Sequence, residues 1–158
     1  MDFAYNDEQK EIIKVVRDLV EKEIVPYAGE MDETGKLHEG LLEKLAAQGL
    51  LGVAIPEEFG GAGLDAITIA AIYEELGKGC AGVATTVAAN ALASYPVIIA
   101  GNDDQKKRYF DIINQDNLAA FALTEPGTGS DAGSVSTRAV KTEPASEPVP
   151  GSVNANEI

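Results

Sequence analysis

The sequence predicts a mainly α fold, with about six helices followed by the first strands of an incomplete β-domain. Three observations predict it. Apolar residues recur at helical spacing between capping and stopping residues over most of the chain. At Asn117 that pattern gives way to a short apolar run bounded by polar residues. From Thr142 to Ile158 the chain holds three prolines and almost no large apolar side chain. The expected organisation is a helical domain over 1–116, the start of a β-domain over 117–141 and a disordered tail over 142–158.

The first helix is expected from residue 6 to about 30. Asn6 can cap it, with Gln9 as the reciprocal partner of a capping box. Ile12, Val16, Leu19, Val20 and Ile24 form its apolar stripe, and Pro26 should kink or end it. A second helix is expected over 38–48, stopped by Gly49. Three glycines among Gly60-Gly61-Ala62-Gly63 mark a turn with backbone angles that other residues resist. Asp65 should cap a third helix reaching about Lys78. Two Ala-rich helices follow, 81–93 and 95–101, divided near Pro96, and Asp103 or Asp104 should cap the next. Leu118–Leu123 reads as a buried strand, and Val135–Val140 alternates weakly enough to be a second. A lone two-stranded unit is marginal in water, so these strands lack partners.

Composition removes several function classes. Lys and Arg total 12 against 26 Asp and Glu, a formal charge of −14, and no basic stripe exists to neutralise phosphates, so nucleic acid is excluded as a partner. Cys80 is the single cysteine, so no disulfide within the chain and no cysteine-based metal site is expected. Among small neighbours it reads as a buried hydrophobe rather than a nucleophile. One free thiol and an acidic, polar N-terminus without a leader pattern point to the cytoplasm. The stretch from Cys80 to Gly101 carries no charge, but its Ala, Gly and Thr content and Pro96 argue against a membrane span. His38, the only histidine, reads as solvated, Lys106-Lys107-Arg108 as an exposed helix face, and Glu74-Glu75 as a solvated or capping pair.

Chemistry concentrates in Phe121-Ala122-Leu123-Thr124-Glu125-Pro126-Gly127-Thr128-Gly129-Ser130-Asp131. A strand ends in a hydroxyl residue, and a Gly-Thr-Gly-Ser loop then offers backbone amides and further hydroxyls to an anionic or planar ligand. On spacing alone a plain turn remains the alternative, since the run is neither a Walker loop nor a Rossmann GxGxxG. The run FALTEPGTGSDAGS closely resembles the flavin-binding signature TEPxxGSD of the acyl-CoA dehydrogenase family. Two more segments resemble that family in the same order: Gly49–Leu64 its GLLG…PEEYGGxGLD motif, and Tyr95–Lys107 its QKKKY segment. The resemblance as a whole covers Met1 to Lys141.

The resemblance implies a helical N-terminal domain, a middle β-domain and a C-terminal helical bundle, with FAD between the last two. It implies oxidation of a fatty acyl-CoA to the trans-2-enoyl-CoA, a glutamate taking the α-proton and hydride passing to flavin N5. Electron-transferring flavoprotein is the implied acceptor, and the family forms homo-oligomers. Carried onto this chain, Phe121, Leu123 and Thr124 would lie along the flavin, Gly129 would open the loop, and Ser130 would contact the pyrophosphate and the CoA end of the substrate. Thr85, Ala88 and Leu92, on one helical face, would line the acyl tunnel, with ordinary core packing as the alternative. Glu125 would shape the loop, and no catalytic residue is assigned, because the family's base lies downstream of Lys141. A full grip on FAD is expected to need those downstream parts as well, so the chain alone is expected to be inactive. The alternative is a non-catalytic helical module or accessory subunit that binds a partner chain.

Overall fold

Asn6 starts the first helix with a reciprocal cap. Its side chain accepts the Gln9 amide at 2.8 Å, while Gln9 Oε1 accepts the Asn6 amide at 3.1 Å. The computed structural model describes residues 4–115 and 118–138, in two compact units that divide between Ala120 and Phe121. The tail predicted over 142–158 lies outside the described residues.

In the first unit, α1 (Asp7–Leu19) does not stop at Pro26. It passes into a π turn, Val20–Ile24, then a 3₁₀ turn, Val25–Tyr27, and resumes as α2 (Ala28–Thr34). Proline lacks an N–H, and its ring crowds the carbonyl four residues back. The wider turn before it, closed by the Val25 amide on the Val20 carbonyl, lets the chain remain helical. Val20 and Ile24 face the end of α4 (Ala66–Gly79). A Cβ on Gly79 would sit 2.6 Å from Val20 Cγ1, so this approach requires glycine.

α3 (Leu41–Ala47) starts later than the expected residue 38, and Gly49 ends it in the left-handed region. His38 sits in the turn ahead of α3 and is half-buried rather than fully solvated. Its ring stacks on Tyr27 at 3.5 Å and 10°, where an apolar face gains more from the ring than from water.

Between α3 and α4 the chain folds back on itself through main-chain bonds. Ala62, Gly63 and Leu64 amides donate to the carbonyls of Gly52, Ile55 and Val53 at 3.0, 2.8 and 3.0 Å. Asp65 then caps α4, as expected, by accepting the Ile67 amide at 2.8 Å.

The two expected Ala-rich helices are one, α5 (Ala81–Ala100), with Pro96 inside it. Proline costs a helix one hydrogen bond, and here one buried face outweighs that loss: Val83, Val87, Ala91 and the polar pair Asn90 and Ser94 all point into the unit. By length and composition alone α5 could cross a membrane. Its buried face instead packs on α4, and the Asn90 amide group donates to the Leu51 carbonyl at 3.2 Å. The cap of α6 (Asp103–Ile113) is Asn102, paired with Gln105, rather than either aspartate. The capping-box spacing to Gln105 favours the asparagine.

Glu75 corrects another expectation. It is 5% exposed, not solvated, and Arg17 of α1 holds it by two bonds of 2.9 and 3.1 Å while Lys78 adds one of 2.8 Å. The Arg17 guanidinium, assisted by Lys78, lowers its carboxyl from the usual 4.5 to about 2. A depressed carboxyl stabilises the fold above its unfolded pKa and loses that contribution as pH falls through the folded value. Helical circular dichroism during acid titration should therefore show stability draining between pH 4.5 and about 2. Glu75→Gln should flatten the slope in that window, and an unchanged slope would contradict the assignment.

The strand expected over Leu118–Leu123 forms no ladder, and neither do residues 135–138; 139 and 140 lie outside the described residues. The Ala119 amide shows why the pairing is not needed there. It donates to Asn90 Oδ1 at 2.6 Å, so a side chain of α5 takes the bond that a neighbouring strand would supply. Among the described residues the β content is one isolated bridge, Glu125 with Thr128.

Candidate functional site

In the second unit, Phe121 and Leu123 lie outside any regular element and are 40% and 49% exposed. Two apolar side chains held open to solvent in a short segment are available to a flat ligand. Thr124 follows, exposed, and its hydroxyl makes no hydrogen bond among the described residues.

Glu125 to Thr128 is a tight turn, with the Thr128 amide donating to the Glu125 carbonyl at 2.9 Å and the Glu125 amide donating to the Thr128 carbonyl at 3.2 Å. Thr128 is buried and its hydroxyl donates to the Ser134 carbonyl at 3.2 Å. That bond gives the loop an inside. Gly127 and Gly129 lie on the outside, where an added Cβ would meet nothing within 4 Å. Ser130 is also exposed, and its hydroxyl is unengaged among the described residues.

The Glu125 carboxylate closes the loop. Oε1 accepts from the Ser136 amide at 2.6 Å and from its hydroxyl at 2.8 Å, and Oε2 accepts from the Thr137 amide at 3.0 Å and from its hydroxyl. Donation by the Thr137 hydroxyl, then by Ser136, holds its carboxyl down at about 2. A carboxylate fully occupied in this way is no general base, which agrees with the loop-shaping role expected from the motif. Ser136 and Thr137 were not legible as its partners. Hydroxyls eleven and twelve residues downstream of a carboxylate follow no local pattern.

Phe121, Leu123, Thr124, Gly129 and Ser130 thus lie on one short segment and are all exposed. These groups suit FAD: apolar side chains for a ring, hydroxyls and an open glycine loop for polar edges and phosphate.

Thr85, Ala88 and Leu92 belong to the first unit, on α5. Thr85 and Leu92 are exposed and Ala88 is half-buried. The Thr85 hydroxyl donates to the Ala81 carbonyl at 2.8 Å, which spends its proton inside the helix. The same unit holds a mostly apolar hollow of about 350 Å³ lined by Ile12, Val15 and Leu19 of α1 with Leu50, Leu64 and Ile72. Among the described residues no group of three or more His, Cys, Asp or Glu is placed to hold a metal ion.

The first unit is thus a capped helical domain, and the second carries a carboxylate-closed loop with exposed apolar and hydroxyl groups. The sequence model of the N-terminal domain of acyl-CoA dehydrogenases matches residues 6–115, and the chain belongs to the acyl-CoA dehydrogenase family. A 3-(aryl)acrylate reductase of Clostridium sporogenes is 42% identical over 136 residues, which cover 84% of this chain and 36% of the relative. The butyryl-CoA dehydrogenase of Megasphaera elsdenii superposes with a TM-score of 0.73 at 34% identity, over 84% of this chain and 36% of that one. An acyl-CoA dehydrogenase of Bacillus anthracis complexed with FAD gives 0.72 at 37% identity, over 84% of this chain and 23% of that one. The chain therefore spans about a third of the length of the curated relatives it matches.

Proposed function

We propose that this chain supplies the flavin-facing edge and an acyl-lining helix of an FAD-dependent acyl-CoA dehydrogenase. The observation that carries the reading is the Phe121–Ser130 segment, whose two apolar side chains and two free hydroxyls stand on a loop closed by Glu125. FAD, when bound, supplies the acceptor for hydride from the β-carbon of an acyl-CoA. The chain's own part is to hold and orient. Phe121 and Leu123 exclude water from one side of the ring, Thr124 and Ser130 donate to its polar and phosphate groups, and Thr85, Ala88 and Leu92 give the acyl chain an uncharged wall.

No described residue is assigned the α-proton, so we assign the base and turnover to parts beyond these residues, and the chain alone to binding without catalysis. Electron-transferring flavoprotein is the proposed electron acceptor and the cytoplasm the proposed compartment. One relative is called a reductase of an acrylate and others dehydrogenases, which supports chemistry at the carbon pair next to a carboxyl or thioester carbonyl, run in either direction.

The test is titration of FAD with the purified chain, followed by flavin fluorescence and the visible spectrum. Wild-type chain is expected to quench the fluorescence, and a Thr124→Val, Ser130→Ala chain is expected to quench it at least tenfold more weakly by concentration. Equal titrations, or no effect of the wild-type chain, would remove the flavin assignment from this segment.

A further inference from the structure

Asn90 and Ser94 are the buried polar side chains of α5, and they are used differently. Ser94 gives its hydroxyl to the Asn90 carbonyl at 2.7 Å, inside the helix. Asn90, 1% exposed, sends both ends of its amide out of the helix. Its Nδ2 donates to the Leu51 carbonyl at 3.2 Å, and its Oδ1 accepts the Ala119 amide at 2.6 Å. The partners fix which end is which. A carbonyl needs a donor and an N–H needs an acceptor, so the flipped side chain would satisfy neither. Val83, Val87 and Ala91 fill the rest of this face, and an aliphatic residue at 90 would carry no desolvation cost there. What the amide adds is its grip on two main-chain segments.

The Leu51 bond ties α5 to the turn at Leu50–Gly52, as ordinary core packing would. The Ala119 bond is different. Ala119 stands two residues before Phe121, outside any regular element, and its side chain packs against Ile55, Phe110 and Ile113. From Ala120 to Thr124 the main chain makes no hydrogen bond among the described residues. The next fixed point is the turn from Glu125 to Thr128. The apolar part of the edge therefore hangs, at its upstream end, from the Asn90 oxygen.

We propose that Asn90 is a positioning residue for the flavin edge: by holding Ala119 it fixes the root of Phe121–Thr124 before FAD arrives. The inference rests on the flavin reading of that segment. Without the bond, FAD binding would also have to order the residues around Ala119, and that conformational entropy would be lost from the affinity. Asn90 is itself buried and acts only through the main chain.

The test compares three variants of the chain in FAD titrations and in amide exchange followed residue by residue. Asn90→Ala removes both bonds, and should speed exchange at Ala119 and weaken FAD binding by about tenfold each. Val87→Ala removes apolar volume one turn earlier on the same face, at a side chain 0% exposed. It should lower the urea midpoint and leave both readouts as in wild type. Asn90→Asp, when ionised, cannot donate to Leu51 but still accepts from Ala119. It should therefore keep Ala119 protected and FAD affinity near wild type, even with stability reduced. Wild-type chain that leaves flavin fluorescence unchanged would remove the flavin reading and this inference together. If wild-type chain binds, Asn90→Ala binding equally well would overturn the role of Asn90 alone and leave the flavin reading standing. So would Val87→Ala weakened as much as Asn90→Ala, or a folded Asn90→Asp chain no better than Asn90→Ala. Should Asn90→Asp fail to fold, the Asn90→Ala and Val87→Ala pair decides.

Discussion

Gly61→Ala is expected to destabilise the helical unit by about 3 kcal/mol, from overpacking together with lost main-chain bonds. A Cβ at this position would lie 2.1 Å from the Ile55 carbonyl oxygen and 2.3 Å from the Ile55 Cβ. The first of those atoms is backbone, so no side-chain rotation relieves the clash. The oxygen is also the acceptor for the Gly63 amide at 2.8 Å, and Ile55 itself is 1% exposed in a packed cluster. Moving the strap formed by 60–64 away from 52–56 would break that bond and strain the neighbouring ones to Gly52 and Val53. Urea unfolding monitored by circular dichroism measures the loss. Gly77→Ala is the control: it is helical with nothing within 4 Å, and alanine there should stabilise by about 0.5–1 kcal/mol. Two variants with the same midpoint would refute the steric account.

Phe110→Ala is expected to cost about 3–5 kcal/mol, the range for emptying a buried aromatic site. Phe110 is 1% exposed, with Phe59 stacked at 5.2 Å, Tyr109 edge-on at 5.2 Å, and Ile55 and Ile113 in the same cluster. This small cluster is separate from the main core and joins α6 to the turn at Glu57–Phe59. The Asn114 side chain reinforces it by donating to the Phe59 carbonyl. Hydrogen exchange should therefore speed up first in α6 and in the 57–59 turn, ahead of α1 and α4. A loss below about 1 kcal/mol, typical of a surface change, would show that the cluster does not hold α6.

Helices were the legible part of this chain because their signals are local. Asn6 with Gln9, Gly49, and Asp65 ahead of Ile67 and Thr68 each act within a few residues. Pro26 does interrupt the regular helix, in the π and 3₁₀ turns between α1 and α2, whereas Pro96 misled, since it is carried through α5 by packing that depends on distant residues. The environment of Glu75 depends on Arg17, 58 residues earlier, and neither residue alone suggests the pair. The loop from Thr124 to Ser130 was recognisable as a motif. Its closure by Glu125 on Ser136 and Thr137 was not, and the strands expected around it form no ladder among the described residues, where the Ala119 amide bonds to Asn90 instead.

The pairing of α1 with α4 has a consequence at the ribosome. Arg17 emerges 58 residues before Glu75, and at about 5–20 residues per second that interval is roughly 3 to 12 seconds. For that time Val16, Val20 and Ile24 have no α4 to cover them, and the nascent segment is a greasy, chaperone-accessible helix. Slower translation through codons for the 52–64 strap would lengthen this exposure, while the finished protein would be unchanged.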